Sequence, residues 1–368
     1  MLFIGLMSGT SLDGVDAVLA DCSPAPPKSL THAYRAFPDD LRATLTALCA
    51  SGPDELERCG VAARELVLLY AAVVGDLLKM AEVSRSAVRA IGAHGQTVRH
   101  RPQLGFSVQL NAPALLAELT QIDVVADFRS RDIAAGGHGA PLASIFHVAA
   151  FSGPQPRAVV NIGGISNLTG LPRAGGDGSV IGFDTGPGNL LLDYWVQKHF
   201  AQPFDRNGAL AASAGTDQPL LDALLAEPFF AALPPKSSGR ELFSPAWLER
   251  VTENRKAKPA IVLATLTKLT AAAIGRAVNT WFPQAADVVV CGGGARNETL
   301  LRMLEAECAP RPVFPSSALG VEPDQVEALA FAWLASAHVN SQAGNVPSVT
   351  GARGSRILGG LYPAREPA

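Results

Sequence analysis

A strand, a glycine-containing turn and a second strand follow one another twice in this chain, once at its start and once near its middle. The first copy runs from the apolar segment 2–6 through a turn at 7–14 to the apolar segment 15–20. The second runs from 158–162 through a turn at 163–167 to a strand that begins at Leu168. Because strands and helical patterns alternate after both copies, the repeat predicts two similar α/β domains with a ligand in the crevice between them.

The remaining segments complete this two-domain pattern, and 368 residues are more than one core usually holds. Apolar residues spaced three and four apart predict helices, and short apolar runs predict strands. The predicted helices are at about 55–80, 190–200, 261–274, from 297 or 298 onward, and 326–339, and the further strands are at 88–93, 122–126, 180–183, 288–291 and 356–358. A glycine-rich break at 131–141 indicates a domain boundary, so we expect an N-terminal α/β domain of residues 1–130 plus about 340–368 and a C-terminal α/β domain of residues 131–339.

Composition and charge argue against several classes of protein. The net charge is −3 and no basic tract occurs, which argues against nucleic acid or an anionic membrane as the partner. The five cysteines are widely spaced without a C-x-x-C pair, which is typical of reduced thiols in the cytoplasm rather than of disulfides or a zinc site. The N-terminal segment lacks the basic flank of a signal peptide. The predicted helix at 261–274 carries Lys268, so we interpret it as buried or half-buried and not as a membrane span.

The first glycine turn has the composition of a phosphate-binding loop. Its residues and those of the adjoining strand are Gly9, Thr10, Ser11, Leu12, Asp13, Gly14, Val15 and Asp16. Glycines allow backbone N–H groups to point into one concavity, and the hydroxyl groups add further donors. The carboxylates of Asp13 and Asp16 are the hard oxygen ligands that Mg²⁺ prefers. The alternative is an ordinary hairpin turn, and the sequence has no G-x-x-x-x-G-K-[ST] motif, which argues against P-loop chemistry.

Two further glycine groups follow apolar strands. Gly163 and Gly164 are the counterpart of the first turn, and a triphosphate that is held from both sides needs two such hairpins. The group Gly292, Gly293 and Gly294 leaves bare backbone against which a base or a phosphate can lie. Tight packing between a strand and a helix is the alternative for this second group.

A carboxylate that follows a predicted strand is the candidate general base. Asp184 comes directly after the strand at 180–183 and before a turn that is rich in glycine. A carboxylate on a rigid strand end is well placed to accept a proton. The alternative is that Asp184 accepts N–H hydrogen bonds from the following turn, and its position alone does not decide between the two.

Other polar residues are candidates for substrate binding, namely His94, Gln96, Arg129, Arg131 and Glu327. His94 and Gln96 follow the strand at 88–93, where the alternative is a hydrogen-bonded structural role. Arg129 and Arg131 precede a glycine-rich loop, and a guanidinium there can bind a carboxylate or form a salt bridge. Glu327 lies among apolar residues of a predicted helix, where a charge needs a partner, water or exposure.

Taken together, the motifs of this sequence resemble, in order, those of the anhydro-N-acetylmuramic acid kinase family. They span nearly the whole chain, from Leu6 to about Tyr362, and their combination is specific although each motif alone is weak. The motifs are Leu6-Met7-Ser8-Gly9-Thr10-Ser11-Leu12-Asp13-Gly14, Gly95-Gln96-Thr97, Val125-Ala126-Asp127-Phe128-Arg129, Asn161-Ile162-Gly163-Gly164, Gly182-Phe183-Asp184-Thr185-Gly186-Pro187-Gly188-Asn189, Lys236-Ser237-Ser238-Gly239-Arg240-Glu241 and Cys291-Gly292-Gly293-Gly294.

The resemblance implies a two-domain α/β fold of the actin/hexokinase-like (ribonuclease H-like) type with an interdomain cleft, and ATP and Mg²⁺ as co-substrates. It implies that 1,6-anhydro-N-acetylmuramic acid, ATP and water are converted to N-acetylmuramic acid 6-phosphate and ADP in cell-wall recycling. It also implies that residues 9–16, 163–164 and 292–294 bind ATP and that Asp184 is the catalytic base. The expected partner is a small sugar in the cytoplasm, and the sequence leaves a homodimer open.

Two other functions use the same nucleotide-binding hairpins. One is a nucleotide-driven switch such as actin or a chaperone ATPase, although 368 residues leave no room for a peptide-binding module beyond two domains. The other is a kinase for an ordinary free sugar. A switch would turn over ATP without an added anhydro-sugar, and a free-sugar kinase would phosphorylate a free 6-hydroxyl group equally well.

Overall fold

The computed structural model of the chain describes residues 1–9, 11–239, 242–253 and 255–364. The strands are β1 (Leu2–Met7), β2 (Gly14–Asp21), β3 (Lys28–Ala36), β4 (Val88–Ala93), β5 (Gln96–Arg101), β6 (Phe106–Leu110), β7 (Val124–Ala126), β8 (Arg157–Ile162), β9 (Ile165–Leu171), β10 (Ile181–Pro187), β11 (Asp287–Cys291), β12 (Val313–Pro315) and β13 (Gly360–Tyr362). The helices are α1 (Asp39–Leu48), α2 (Glu55–Ala81), α3 (Pro113–Thr120), α4 (Ser130–Ala134), α5 (Ala143–Phe151), α6 (Leu190–Phe200), α7 (Ala209–Ala212), α8 (Gln218–Leu225), α9 (Pro228–Ala231), α10 (Pro245–Thr252), α11 (Pro259–Trp281), α12 (Glu298–Cys308), α13 (Val326–Val339) and α14 (Pro347–Thr350). Short 3₁₀ helices lie at Arg85–Ala87, Pro102–Leu104, Arg206–Gly208, Gly293–Arg296 and Ser316–Leu319.

These elements form two compact units. The first unit consists of Met1–Ala150 with Gln325–Ala368, and the second of Phe151–Asp324. These limits differ from the sequence-based ones, which were 1–130 plus about 340–368 and 131–339. The glycine-rich loop at 131–141 belongs to the first unit, where the buried Asp132 accepts hydrogen bonds from that loop and from the side chains of Asn345 and Thr350. Helix α13 belongs there too, because it packs on β1 and β4.

The first unit is built on a six-stranded sheet in the order β13-β7-β4-β1-β2-β3. The neighbours β1, β2 and β3 are antiparallel, and on the other side of β1 the strands β4 and β7 run parallel to it. Helix α2 packs on this sheet through buried residues that recur every three or four positions, including Leu66, Tyr70, Val73 and Leu77. The antiparallel hairpin of β5 and β6 forms a separate small sheet after β4.

Helix α13 lies directly on this sheet at two glycines. A β-carbon on Gly5 would overlap the backbone carbonyl of Ala328, and a β-carbon on Gly92 would overlap that of Phe331. Only glycine at both positions lets the helix backbone approach the strands so closely. The contact fixes the first turn of α13, which carries Glu327, against the carboxyl ends of β1 and β4.

The second unit is built on a five-stranded sheet in the order β10-β9-β8-β11-β12. The neighbours β8, β9 and β10 are antiparallel, and on the other side of β8 the strands β11 and β12 run parallel to it. Each unit therefore contains three successive antiparallel strands followed, after helices, by a strand parallel to the first of them. This shared connectivity confirms the repeat that the sequence predicts.

Helix α11 is the core helix of the second unit. In the part of the chain that the structure describes, it is the one helix long and apolar enough to cross a membrane by length and composition, and 78% of its most apolar window is buried. Side chains such as Leu263, Leu269 and Ile274 have no exposed surface. The interpretation of 261–274 as a buried helix is confirmed.

The predicted helices at 55–80, 190–200 and 326–339 and the strand at 88–93 are confirmed with little or no change. The predicted end of the strand at 183 was wrong: β10 continues to Pro187, which is tolerated because β10 is an edge strand. Strand β9 begins at Ile165 rather than at Leu168. The last strand lies at Gly360–Tyr362 instead of 356–358, because Leu358 is a core residue and Gly359 turns the chain with a φ of 88°.

Candidate active site

The turn between β1 and β2 is fixed by hydrogen bonds to its first two residues. The Ser8 hydroxyl donates to the Gly95 carbonyl oxygen (3.1 Å) and pairs with the Tyr70 hydroxyl (2.8 Å), which is therefore the donor of that bond. The Gln96 side-chain amide donates to the carbonyl oxygen of Gly9 (3.1 Å). Because Ser8, Tyr70 and Gln96 are almost fully buried, the turn is anchored from the interior of the first unit.

Packing requires glycine at only one of the two glycine positions of this turn. A β-carbon on Gly14 would lie 2.5 Å from the carbonyl oxygen of Arg35, so the pairing of β2 with β3 requires glycine there. A β-carbon on Gly9 would meet nothing closer than the Ser11 hydroxyl oxygen, at 3.6 Å. Packing among the described residues does not require glycine at position 9, which leaves close approach of a ligand as a reason for it. Thr10 lies outside the described residues.

The other residues of the turn offer backbone groups or carboxylates. Leu12 and Val15 are buried in the hydrophobic core, so only their backbone groups remain for a ligand. Asp13 is exposed, and Asp16 Oδ1 lies 2.9 Å from His32 Nε2. No group of three or more His, Cys, Asp or Glu side chains suited to a metal occurs within the described ranges. One or two carboxylates are nevertheless the protein ligands that Mg²⁺ usually has beside substrate phosphates, so the chemistry of an aspartate at this turn suits that ion.

His94, Arg129 and Glu327 lie together at the end of β4. Arg129 donates one hydrogen bond to His94 Nε2 (2.8 Å) and another to the carbonyl oxygen of Gly139 (2.6 Å). The His94 ring packs on Phe331, with 4.7 Å between ring centroids, and Phe331 lies one turn after Glu327 on α13. Burial lowers the pKa of Arg129 to about 10 while Glu327 acts in the opposite direction, so the guanidinium is charged at neutral pH.

His94 is neutral at physiological pH, because burial and then the charge of Arg129 lower its pKa to about 3. A guanidinium can only donate, so Nε2 is the acceptor of its bond and Nδ1 carries the ring proton. Four buried atoms here have no hydrogen-bond partner among the described residues: His94 Nδ1, Arg129 Nε, Gln96 Oε1 and Asn111 Oδ1. Leaving such an atom unpaired costs about 1–3 kcal/mol. Two donors and two acceptors without partners therefore indicate a binding site for a polar ligand.

The two candidate arginines differ in the structure. Arg129 is partly buried and belongs to the group around His94. Arg131 is exposed on α4. The geometry brings only Arg129 together with the other candidate substrate-binding residues.

A row of polar side chains crosses the sheet of the second unit. Asp184 on β10 is directly opposite Asn167 on β9, Asn167 is opposite Asn161 on β8, and Asn161 is opposite Cys291 on β11. Residues that are directly opposite each other in a sheet point to the same face. The Cys291 sulfur accordingly lies 3.8 Å from Asn161 Oδ1. This row ends at Asp184, the candidate base.

Asp184 lies within β10 rather than after it, and the strand is irregular at this point. The pairing with β9 shifts its register between Asp184 and Gly186. Gly186 has a φ of 145°, and a β-carbon there would lie 2.7 Å from the Phe230 ring. Such a bulge bends an edge strand and changes the direction of a side chain, and bulges are over-represented next to active sites.

A distant loop holds Asp184 on both its backbone and its side chain. The Asp184 N–H donates to the carbonyl oxygen of Lys236 (3.0 Å), and the Ser238 N–H donates to Asp184 Oδ2 (2.8 Å). The carboxylate therefore accepts a backbone N–H from a loop that lies 54 positions later in the chain. Two buried atoms nearby, Ser238 Oγ and Asn167 Oδ1, have no hydrogen-bond partner in the described part of the chain.

The turn between β8 and β9 is joined to the start of α6. The carbonyl oxygen of Gly163 accepts from the N–H of Asn189 (2.8 Å), and that of Gly164 accepts from the N–H groups of Gly188 (2.9 Å) and Leu190 (3.1 Å). A β-carbon on Gly163 or Gly164 would make only ordinary contacts, at 3.6 and 3.9 Å. Packing within the described residues thus leaves both glycines unexplained, as it does for Gly9.

The three adjacent glycines after β11 separate into two kinds. Gly292 has a φ of 78°, and a β-carbon there would lie 2.8 Å from the Ile162 carbonyl oxygen. A β-carbon on Gly294 would overlap the Ile162 side chain. A β-carbon on Gly293 would find its nearest neighbour, Asn189 Nδ2, at 3.6 Å. Close packing therefore explains the first and third glycines, while the middle one leaves bare backbone that a ligand can contact.

Sequence reasoning missed four residues of these sites. Tyr70 was assigned only to a helix, and Asn111 follows β6 without any distinctive motif. Ser238 lies in the Lys236–Glu241 motif that carries part of the family resemblance, and Asn167 ends the second glycine turn. A polar residue inside each of these segments was the available signal, but which of them are buried depends on contacts that are distant in sequence.

Comparison with known proteins identifies close relatives over the whole chain. The family model described as "Anhydro-N-acetylmuramic acid kinase" matches residues 1–364. A protein of that name from Burkholderia orbicola is 52% identical over 369 residues, which cover 98% of this chain and 96% of that protein. Proteins of the same name from Bordetella petrii and Variovorax paradoxus are both 53% identical, and the matches cover 99% of this chain and 96% and 99% of those proteins.

A solved structure shares the fold at much lower sequence identity. The activator of the 2-hydroxyisocaproyl-CoA dehydratase from Clostridium difficile, with bound ADPNP, matches with a TM-score of 0.50 and 13% identity, covering 93% of this chain and 96% of that one. This similarity bears on the fold alone. The fold is the two-domain α/β fold of the actin/hexokinase-like type, as the family resemblance implies.

Proposed function

Because the chain belongs to the anhydro-N-acetylmuramic acid kinase family, we propose that it opens 1,6-anhydro-N-acetylmuramic acid with water and phosphorylates its sixth oxygen. The products are N-acetylmuramic acid 6-phosphate and ADP. The reaction recycles cell-wall peptidoglycan, and because it consumes ATP it takes place in the cytoplasm. The observation that carries the proposal is the Asp184 carboxylate, which accepts the Ser238 N–H beside buried polar atoms that lack a partner among the described residues.

The chemistry explains why such a site needs a base for water. An ordinary sugar kinase deprotonates a free hydroxyl group, but in an anhydro-sugar the sixth oxygen is bound to the anomeric carbon. In the proposed reaction Asp184 takes a proton from water. The water oxygen then bonds to the anomeric carbon while the bond from that carbon to the sixth oxygen breaks. The released oxygen attacks the γ-phosphorus of ATP, and ADP leaves with the electron pair of the broken phosphate bond.

Phosphoryl transfer needs positioning and charge neutralisation more than covalent help. In the proposal the backbone of the turn at 9–16 binds ATP phosphates, and the unexplained glycines 163, 164 and 293 let the nucleotide approach the second unit. Asp13 and Asp16 would hold Mg²⁺, which neutralises phosphate charge. The buried hydrogen bonds from Ser8 to the Gly95 carbonyl and from Gln96 to the Gly9 carbonyl keep the first turn in place before ATP binds.

The polar group at the end of β4 supports recognition of the sugar. The substrate carries a lactyl carboxylate, and Arg129 Nε–H and His94 Nδ1–H are two buried donors without a described partner. A charged guanidinium suits the carboxylate, and a neutral imidazole N–H suits an oxygen acceptor of the sugar. Gln96 Oε1 and Asn111 Oδ1 are acceptors suited to hydroxyl or amide hydrogens of the sugar. In this proposal Glu327 keeps Arg129 charged and oriented.

Incubation of the protein with 1,6-anhydro-N-acetylmuramic acid and ATP in ¹⁸O-labelled water tests the proposal. We expect ADP release that depends on the anhydro-sugar, with the label on the anomeric oxygen of the product and none in the phosphate. Label in the phosphate would show that water attacks phosphorus, which is the reaction of an ATPase. Equal turnover of free N-acetylmuramic acid would indicate an ordinary sugar kinase and would overturn the ring-opening step.

A further inference from the structure

We propose that Ser238 positions the water molecule that Asp184 deprotonates, by accepting the second O–H of that water on its side-chain oxygen. The inference rests on the proposed function, because it assumes that water is the nucleophile at the anomeric carbon. It adds to that function a residue whose backbone and side chain have separate tasks. The backbone N–H of Ser238 orients the base, and its hydroxyl holds the nucleophile.

Ser238 is held in place independently of its hydroxyl group. Its N–H donates to Asp184 Oδ2 (2.8 Å), and two residues earlier the Lys236 carbonyl accepts the Asp184 N–H (3.0 Å). The Lys236 ammonium donates to the Phe229 carbonyl oxygen (2.9 Å) and lies 4.6 Å from the centre of the Phe229 ring. On the other side, the Gly239 carbonyl accepts the N–H of the fully buried Phe243 (3.2 Å). The loop is thus anchored on both sides of Ser238.

The hydroxyl group of Ser238 makes no hydrogen bond within the described part of the protein. Ser238 Oγ is buried and has no hydrogen-bond partner among the residues that the structure describes. An unpaired buried hydroxyl costs about 1–3 kcal/mol, and alanine would supply the same backbone N–H without that cost. The neighbouring Ser237 is exposed, so its hydroxyl can bond to solvent. A ligand that hydrogen-bonds to Ser238 accounts for a serine at this position.

Both residues with unpaired atoms adjoin Asp184. Asn167 is directly opposite Asp184 in the sheet, and its buried Oδ1 also lacks a partner in the described ranges. Ser238 reaches Asp184 from the loop. Both residues therefore neighbour the carboxylate at which the proposed water binds. Water fits this position because it is small and has two O–H groups that can donate hydrogen bonds.

The attacking water has two O–H groups with different tasks in the proposed reaction. One O–H donates to Asp184 and is broken as the oxygen bonds to the anomeric carbon, with the proton passing to the carboxylate. A lone pair of the oxygen must point at that carbon. The second O–H stays intact and needs an acceptor that fixes the rotation of the molecule about its first bond. A neutral serine oxygen supplies this acceptor without competing for the transferred proton.

Competition between water and methanol tests this assignment directly. Methanol has one O–H, so it can donate to Asp184 but has nothing to donate to Ser238, and its attack gives the methyl glycoside 6-phosphate. We expect Ser238→Ala to lower kcat for hydrolysis by about tenfold with unchanged KM for ATP and sugar, since one hydrogen bond made in the transition state is lost. The ratio of methyl glycoside to free-sugar product should rise by a similar factor. Ser237→Ala is the matched control and should leave both quantities unchanged.

Two further variants make each outcome decisive. Ser238→Thr keeps the hydroxyl and should recover most of the turnover and the wild-type product ratio. A lower kcat in Ser238→Ala with an unchanged product ratio would show a merely structural role and would overturn the proposal, as would values equal to those of Ser237→Ala. Asp184→Asn is measured in the same assay, because normal turnover of that variant would refute the proposed base itself and not only the role of Ser238.

Discussion

Replacement of Asp184 by asparagine removes a proton acceptor while the side chain keeps nearly the same shape. The amide oxygen can still accept the Ser238 N–H that Asp184 Oδ2 accepts at 2.8 Å. A hydrogen bond to a charged group contributes about 1.5–3 kcal/mol and one between neutral groups about 0.5–1.5, so the free energy of unfolding should fall by only about 1 kcal/mol. Loss of a general base lowers turnover by about 10²–10⁴-fold, which is about 2.7–5.4 kcal/mol of activation free energy.

The two magnitudes differ enough to separate a chemical role of Asp184 from a structural one. ADP release in the presence of the anhydro-sugar measures turnover, calorimetric titration measures ATP affinity, and thermal unfolding measures stability. We expect turnover at least a hundredfold below wild type with nearly unchanged ATP affinity and melting temperature. Asp177→Asn is the control, because Asp177 is an exposed aspartate of the same unit. Turnover of Asp184→Asn within about fivefold of wild type would refute the general-base assignment.

Gly292→Ala should lower the melting temperature, because its β-carbon would clash at a φ of 78°. Gly293→Ala should leave the melting temperature unchanged but weaken ATP binding measured by calorimetry. An ATP affinity equal to that of wild type in a folded Gly293→Ala variant would contradict the nucleotide contact. Arg129→Ala should weaken binding of the sugar acid at least tenfold, with little change in ATP affinity. Because Arg131 is exposed, Arg131→Ala should bind both ligands as wild type does. The reverse result would place the carboxylate at Arg131. Burial lowers the pKa of His147 to about 3, so below pH 6.5 the unfolded chain binds a proton that the folded chain does not, and stability falls with decreasing pH. Denaturant unfolding between pH 6 and 5 should show that His147→Gln loses about 1.4 kcal/mol less per pH unit than wild type, and parallel curves would contradict this.

Local sequence patterns determined much of the fold. The two strand–turn–strand repeats, the apolar spacing of α2, α6 and α13, and the buried strand β4 follow from periodicity within one segment, and the structure confirms them. The sequence motifs identified the family, and the family resemblance identified Asp184 and the glycine turns as candidate site residues. These predictions succeeded because the hydrophobic pattern of each element depends only on residues that are close together in the sequence.

The sites were predictable as segments but not as individual atoms. Asp184 was expected at a strand end, yet it lies inside β10 at a bulge and is bound by a loop 54 positions away. Arg129 and Arg131 are equivalent candidates in the sequence. Only the structure distinguishes them, because Arg129 bonds to His94 whereas Arg131 is exposed.

What only the tertiary structure decided is which groups the protein itself leaves unpaired. The glycines of each turn look alike in sequence, but Gly14 is required by the neighbouring strand and Gly9 is not. Likewise Ser237 and Ser238 are adjacent serines, and only the hydroxyl of Ser238 is buried without a partner among the described residues. Such differences arise from contacts between residues far apart along the chain. The cost of an unpaired buried group depends on the complete set of its neighbours, which packing brings together and which no local pattern records.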